Sequence, residues 1–127
     1  MYNTPPCWSV YIAGLVFRHW INFGGLAKVE EMNKAKAAHI YGVIDASGGF
    51  YKGHAVEANR SLMNIPFTLP TEELTTKFLE ETKAEGYLEL KGHRSVGGLR
   101  ASVYNAFPEE GAKALADFMR GFAERNG

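Results

Sequence analysis

Residues 9–23 carry one full charge, Arg18, among Val10, Ile12, Leu15, Val16, Phe17, Trp20, Ile21 and Phe23, and Gly24-Gly25 closes the run. Pro5 and Pro6 stand just ahead of it, where the fixed φ of proline suits a first helical turn. A helix that spans a bilayer needs about 20 apolar residues, so this shorter stretch reads as a buried helix. Burying one large apolar side chain is worth about 1.5 to 3 kcal/mol, so a helix this apolar has to be covered. The cover is a larger body, the rest of the chain or a second copy.

A second helix is predicted over residues 26–45, with Val29, Met32, Asn33, Lys36, Ala37, Ile40 and Ile44 near one side, until Ser47-Gly48-Gly49 breaks it. Beyond that point strands and helices alternate. Phe50 and Tyr51 begin one strand. Residues 60–69 place Met63, Ile65, Phe67 and Leu69 on one side with period two, and Pro66 inside them argues for an edge strand or a bulge. Thr71 is a predicted N-cap, followed by Glu72 and Glu73 where the helix dipole favours negative charge, and Leu74, Phe78 and Leu79 give that helix a buried stripe. Residues 87–90 read as a short strand. Residues 99–104 alternate again, with Leu99, Ala101 and Val103 on the core face and Arg100, Ser102 and Tyr104 on the other. Pro108 opens a last helix whose Leu115, Phe118, Met119 and Phe122 repeat at i, i+3, i+4 and i+7. The fold class is therefore α/β of the two-layer α+β kind: a small mixed or antiparallel sheet packed with helices and preceded by two helices.

With 127 residues and 46% hydrophobic content, the chain has the material for a packed core. Fourteen basic residues balance fourteen acidic ones, so no global field recruits nucleic acid or an anionic membrane, and anion specificity must be local. One cysteine, Cys7, excludes an intramolecular disulfide and fits a reducing compartment. The opening residues lack the basic and apolar regions of a secretory signal, which points to the cytoplasm.

The local anion site is predicted at residues 91–102, KGHRSVGGLRAS, which set His93, Arg94 and Arg100 around Gly97-Gly98 with nothing acidic among them. Arginine presents a planar fork that matches carboxylate or phosphate, and paired glycines let the chain bend so that flanking cations converge. The alternative is a solvated basic loop ahead of a strand. If the three cations share one pocket, their repulsion is relieved by an anion such as sulfate or phosphate. His19, His39 and His54 lack metal-ligand spacing and read as surface or satisfied histidines, so no metal site is expected. Cys7 has no base partner and reads as a small buried residue, while Trp8 and Trp20 read as core or interface packing.

Three segments, NTPP at 3–6, NRSLMNIPF at 59–67 and KGHRSVGGLRASVYN at 91–105, in this order and spacing, closely resemble phosphoserine aminotransferase. The resemblance covers essentially this whole chain but only the C-terminal third or so of that family. It implies the C-terminal small domain of a fold-type-I, pyridoxal-phosphate-dependent transferase that is homodimeric. Its members exchange an amino group between glutamate and 3-phosphohydroxypyruvate to make phosphoserine in serine biosynthesis. Residues 1–46 would then be the end of the large domain and the interdomain helix, and 47–127 the small domain.

The resemblance also assigns roles. Asn3 and Thr4 match the pair that reaches across the dimer to bind the cofactor phosphate; read from their chemistry alone, such residues ahead of a Pro-Pro helix start are more often caps, an order the resemblance reverses. Arg100 matches the residue that holds the substrate carboxylate, and His93 and Arg94 match the basic surroundings of the substrate phosphate. None of the eight lysines has the family's Schiff-base context, so no catalytic residue is expected here and the chain alone should be inactive. Two other readings stay open: a stand-alone anion-binding module, and a structural or dimerising piece whose arginines are inert.

Overall fold

The computed structural model describes residues 2–127 and resolves four long helices and a three-stranded sheet. In chain order these are α1 (Cys7–Phe23), α2 (Gly25–Ala46), β1 (Lys52–Gly53), β2 (Asn64–Thr68), α3 (Glu72–Ala84), β3 (Leu99–Ser102) and α4 (Glu109–Asn126). A short 3-10 turn, Glu57–Asn59, precedes β2. Contacts group the chain into two compact units, Met1–Met32 and Asn33–Gly127.

The first unit holds α1 and the start of α2. α1 follows Pro6 and stops at Gly24, whose φ of 128° is open to glycine and strained for other residues. The helix forms where the apolar run predicts it, yet it contains no buried residue. Trp8 is 74% exposed and Ile21 71% exposed. Cys7 is exposed as well, a correction to its reading as a buried thiol: it sits in the first turn of a helix none of whose residues is buried. Among the described residues, no helix is long and apolar enough to cross a membrane.

The second unit has one core. Its sheet is antiparallel in the order β1-β2-β3, with Ile65 opposite Ala101 and Phe67 opposite Leu99. Ile65, Phe67, Leu99, Ala101 and Val103 face inward onto Ile40 and Ile44 of α2, Phe78 of α3, and Leu115, Met119 and Phe122 of α4. Phe78 lies at its centre, with ring centroids 5.0 Å from Phe122, 6.2 Å from Tyr51 and 6.2 Å from Phe67. Tyr51 also donates its hydroxyl to the Met119 carbonyl at 2.8 Å, which satisfies the one polar atom its ring carries inside. The opposite sheet face, with Pro66, Arg100, Asn64 and Ser102, is only half-buried. One face covered and one open gives the two-layer arrangement.

Two local expectations change. Pro66 lies in the middle strand, where an edge or a bulge was expected. The pairing of β1 ends at Gly53 opposite Phe67, and Arg100, across from Pro66 on β3, turns its N–H to the Leu90 carbonyl at 2.7 Å. The missing proline N–H therefore faces the side where the two-residue β1 ends and where only His54 N–H still reaches the Pro66 carbonyl, at 3.3 Å. Residues 87–90 form no strand. Glu89 takes a left-handed φ of 60°, which breaks the extended run, and only Lys91 bridges to Leu99.

Candidate anion-binding cleft

The segment around His93 is shaped by its glycines. Gly92 N–H donates to the Gly98 carbonyl at 2.9 Å, and the N–H groups of Val96 and Gly97 both reach the His93 carbonyl, at 2.9 and 2.8 Å. Gly97 and Gly98 have φ values of 74° and 64°, the left-handed region that glycine enters without strain. A Cβ on Gly98 would sit 2.8 Å from the Phe67 carbonyl oxygen, so the turn also depends on the missing side chain to lie against β2. The result is a tight turn with His93, Arg94 and Ser95 exposed at its tip.

That turn forms one wall of a cleft of about 620 Å³. Lys91, His93 and Arg94 line one side; Thr71, Glu72, Thr75 and Thr76 from the start of α3 line the other. Thr71 caps α3, its Oγ1 accepting the Leu74 N–H at 3.2 Å. The cleft thus joins three basic side chains to the capped start of a helix, and those side chains are its donors for a phosphate-sized anion, since Thr75 Oγ1 already donates to the Thr71 carbonyl at 3.0 Å and the Thr71 side chain bonds Glu73. Glu72 is its one acidic member.

Arg100 is not among the residues that line this cleft. It projects from the half-buried face of β3 opposite Pro66, and its Nε is buried with no hydrogen-bond partner among the described residues. Beside it, Asn64 Oδ1 accepts from Ser102 Oγ at 3.3 Å and from Tyr104 Oη at 3.2 Å. An arginine with an unanswered donor next to a polar row suits a carboxylate. Asn3 and Thr4 lie in the first unit, exposed just ahead of α1. His93 and Arg94 therefore line one cleft, Arg100 projects from the adjoining strand outside that lining, and the Asn3-Thr4 pair belongs to a separate unit.

Sequence reasoning set Lys36 on the inner stripe of α2 without giving it a task. Its Nζ is fully buried and donates to the carbonyls of Tyr104, Asn105 and Phe107 at 2.6, 3.2 and 3.2 Å. Burial lowers its pKa from the ordinary lysine value, and Glu109 opposes that shift. Asn33 adds a 2.8 Å bond from Nδ2 to Asn105 Oδ1. The stretch that leaves β3 is thereby pinned to α2. A lysine among apolar helix positions was the available signal, but its partners lie 68 to 71 residues away.

A sequence model of the family described as aminotransferase class-V matches residues 1–115. The chain belongs to the class-V aminotransferase family. Among this family's proteins, the phosphoserine aminotransferase of Stenotrophomonas maltophilia strain R551-3 is 55% identical over 127 residues, and that of Geobacillus kaustophilus is 55% identical over 125. The first alignment takes in all of this chain and 35% of the relative, so the chain spans about a third of the length of the curated proteins it matches. The solved phosphoserine aminotransferase of Bacillus circulans subsp. alkalophilus superposes with a TM-score of 0.91 at 48% identity, over 99% of this chain and 35% of that one. A pyridoxal-phosphate-bound phosphoserine aminotransferase from Trichomonas vaginalis gives 0.83 at 40% identity, over 94% of this chain and 34% of its own.

As a class-V aminotransferase segment, the chain can be tested against the cofactor named for that relative. The amide of Asn3 and the hydroxyl of Thr4 are suitable donors to a cofactor phosphate. Lys36, the one fully buried lysine among the described residues, has committed its ammonium to three carbonyls and is no candidate to attach the cofactor. The residues present fit the phosphate end alone.

Proposed function

We propose that this chain is the C-terminal part of a phosphoserine aminotransferase. The whole protein would be a cytoplasmic homodimer that uses pyridoxal phosphate to move an amino group between glutamate and 3-phosphohydroxypyruvate in serine biosynthesis. The observation that carries the reading is the cleft in which Lys91, His93 and Arg94 converge on the capped start of α3. In this reading His93 and Arg94 receive the substrate phosphate, Arg100 holds the carboxylate, and Asn3 and Thr4 donate to the cofactor phosphate. Residues 1–46 belong to the end of the large domain and the interdomain helix, and 47–127 to the small domain. When bound, the cofactor supplies the electron sink for amino-group transfer, and this chain supplies binding and orientation.

Two measurements test the reading. In the intact protein that carries this chain, Arg94→Ala should reduce kcat/KM for phosphoserine far more than for glutamate. Arg100→Lys, which keeps the charge and loses the fork, should reduce it for both. Equal losses for both substrates in Arg94→Ala would remove the phosphate role. The chain alone, given pyridoxal phosphate and glutamate, should show neither a change in cofactor absorbance nor transamination; the appearance of both would overturn the assignment of chemistry to residues outside it.

A further inference from the structure

The turn that carries His93 also holds its imidazole ring. His93 Nδ1 lies 2.7 Å from Ser95 Oγ and 3.3 Å from the Ser95 main-chain nitrogen. A main-chain N–H can only donate, so its bond to Nδ1 requires a lone pair there. In a neutral imidazole, a lone pair on Nδ1 leaves the proton on Nε2. The serine hydroxyl can rotate to donate to the same nitrogen and reinforce the choice. Ser95 is not needed to close the turn itself, which the Val96 and Gly97 N–H groups secure on the His93 carbonyl.

We propose that Ser95 is a positioning residue for the cleft: it selects the Nε2–H tautomer of His93, so that the ring presents a donor to the phosphate of a bound ligand. Lys91 and Arg94 carry donors in every state they adopt. His93 alone among the cleft's basic residues can turn either a proton or a lone pair toward an anion, and a lone pair against a phosphate oxygen is repulsive. If both tautomers were populated, the apparent affinity would fall by the fraction that is competent. The inference rests on the reading of the cleft as a phosphate site.

The test uses the full chain labelled with 15N-histidine at pH 8, where an ordinary imidazole is neutral. Long-range proton–nitrogen correlation should give His93 an unprotonated Nδ1 and a protonated Nε2. In Ser95→Ala, which removes the hydroxyl and keeps the main-chain N–H, the two ring nitrogens should move part-way toward averaged shifts, and the apparent Kd for inorganic phosphate should rise by up to about twofold as competent rings are diluted. Ser95→Thr keeps the hydroxyl and should restore both. A wild-type His93 protonated on Nδ1, or ring shifts unchanged in Ser95→Ala, overturns the inference even if phosphate binds. A wild-type chain in which phosphate moves no amide of the cleft, with the Nε2–H ring intact, instead overturns the reading of the cleft and the purpose assigned to Ser95.

Discussion

The ammonium of Lys36 lies 2.6 Å from the main-chain carbonyl of Tyr104, and through that bond α2 fixes the chain as it leaves β3. Replacing Lys36 with methionine keeps much of the volume and removes the donor of the Asn105 and Phe107 carbonyls, while that of Tyr104 keeps the Phe107 N–H at 2.9 Å. A buried polar group left unpaired costs about 1 to 3 kcal/mol, so Lys36→Met should destabilise by at least about 2 kcal/mol in urea unfolding. A loss below 0.5 kcal/mol, on the scale of an ordinary surface substitution at about ±0.5 kcal/mol, would mean that the carbonyls find other partners.

How much of this was legible in the sequence depended on the range of the interaction. The stripe of Val29, Ala37, Ile40 and Ile44 and the alternation of Leu99, Ala101 and Val103 are local periodicities, and all seven residues are buried. Thr71 was readable as a cap because its acceptor and Leu74 N–H lie within one turn. Pro66 misled because its tolerance depends on where β1 stops, a non-local fact. Residues 87–90 misled because nothing in their side chains announces the left-handed Glu89. The basic segment could be recognised and strand phase set Arg100 on the open sheet face, but not that His93 and Arg94 would line a cleft with the start of α3 while Arg100 does not. That division follows from strand phase combined with the turn at Gly97-Gly98.

Gly97 and Gly98 should respond differently to alanine. Both have left-handed φ, which costs a non-glycine residue roughly 1 kcal/mol. At Gly97 a Cβ meets nothing within 4 Å, whereas at Gly98 it meets the Phe67 carbonyl oxygen at 2.8 Å and the Thr68 methyl at 2.9 Å. Gly98→Ala should therefore cost more stability than Gly97→Ala and weaken phosphate binding by shifting the turn. Denaturant unfolding and phosphate titration of the two variants check the order, which equal losses would contradict.

Arg60 grips the C-terminal turn of α2, with Nη2 to Asp45 Oδ1 at 2.5 Å, Nη1 to Oδ2 at 2.7 Å, and its guanidinium carbon 4.4 Å from the centre of the Tyr41 ring. Hydrogen bonding by Arg60 holds the Asp45 carboxyl below its usual range. Arg60→Ala should cost about 1 kcal/mol at neutral pH. Because the folded-state pKa of Asp45 is lowered, the charged part of that stabilisation is present above its unfolded value. It is lost as pH falls through the folded one. The stability gap between wild type and Arg60→Ala should narrow on acidification, and a gap that widens toward acid would rule out this origin.

The central claim is that Lys91, His93 and Arg94 with the capped start of α3 form a phosphate-binding cleft, and mapping amide shifts of the chain during titration with phosphoserine tests it most directly. The account predicts saturable shifts centred on residues 91–100 and 71–76, abolished in Arg94→Ala and unaffected by replacement of the remote Lys113. Absence of shifts there, or shifts that survive in Arg94→Ala, would contradict it.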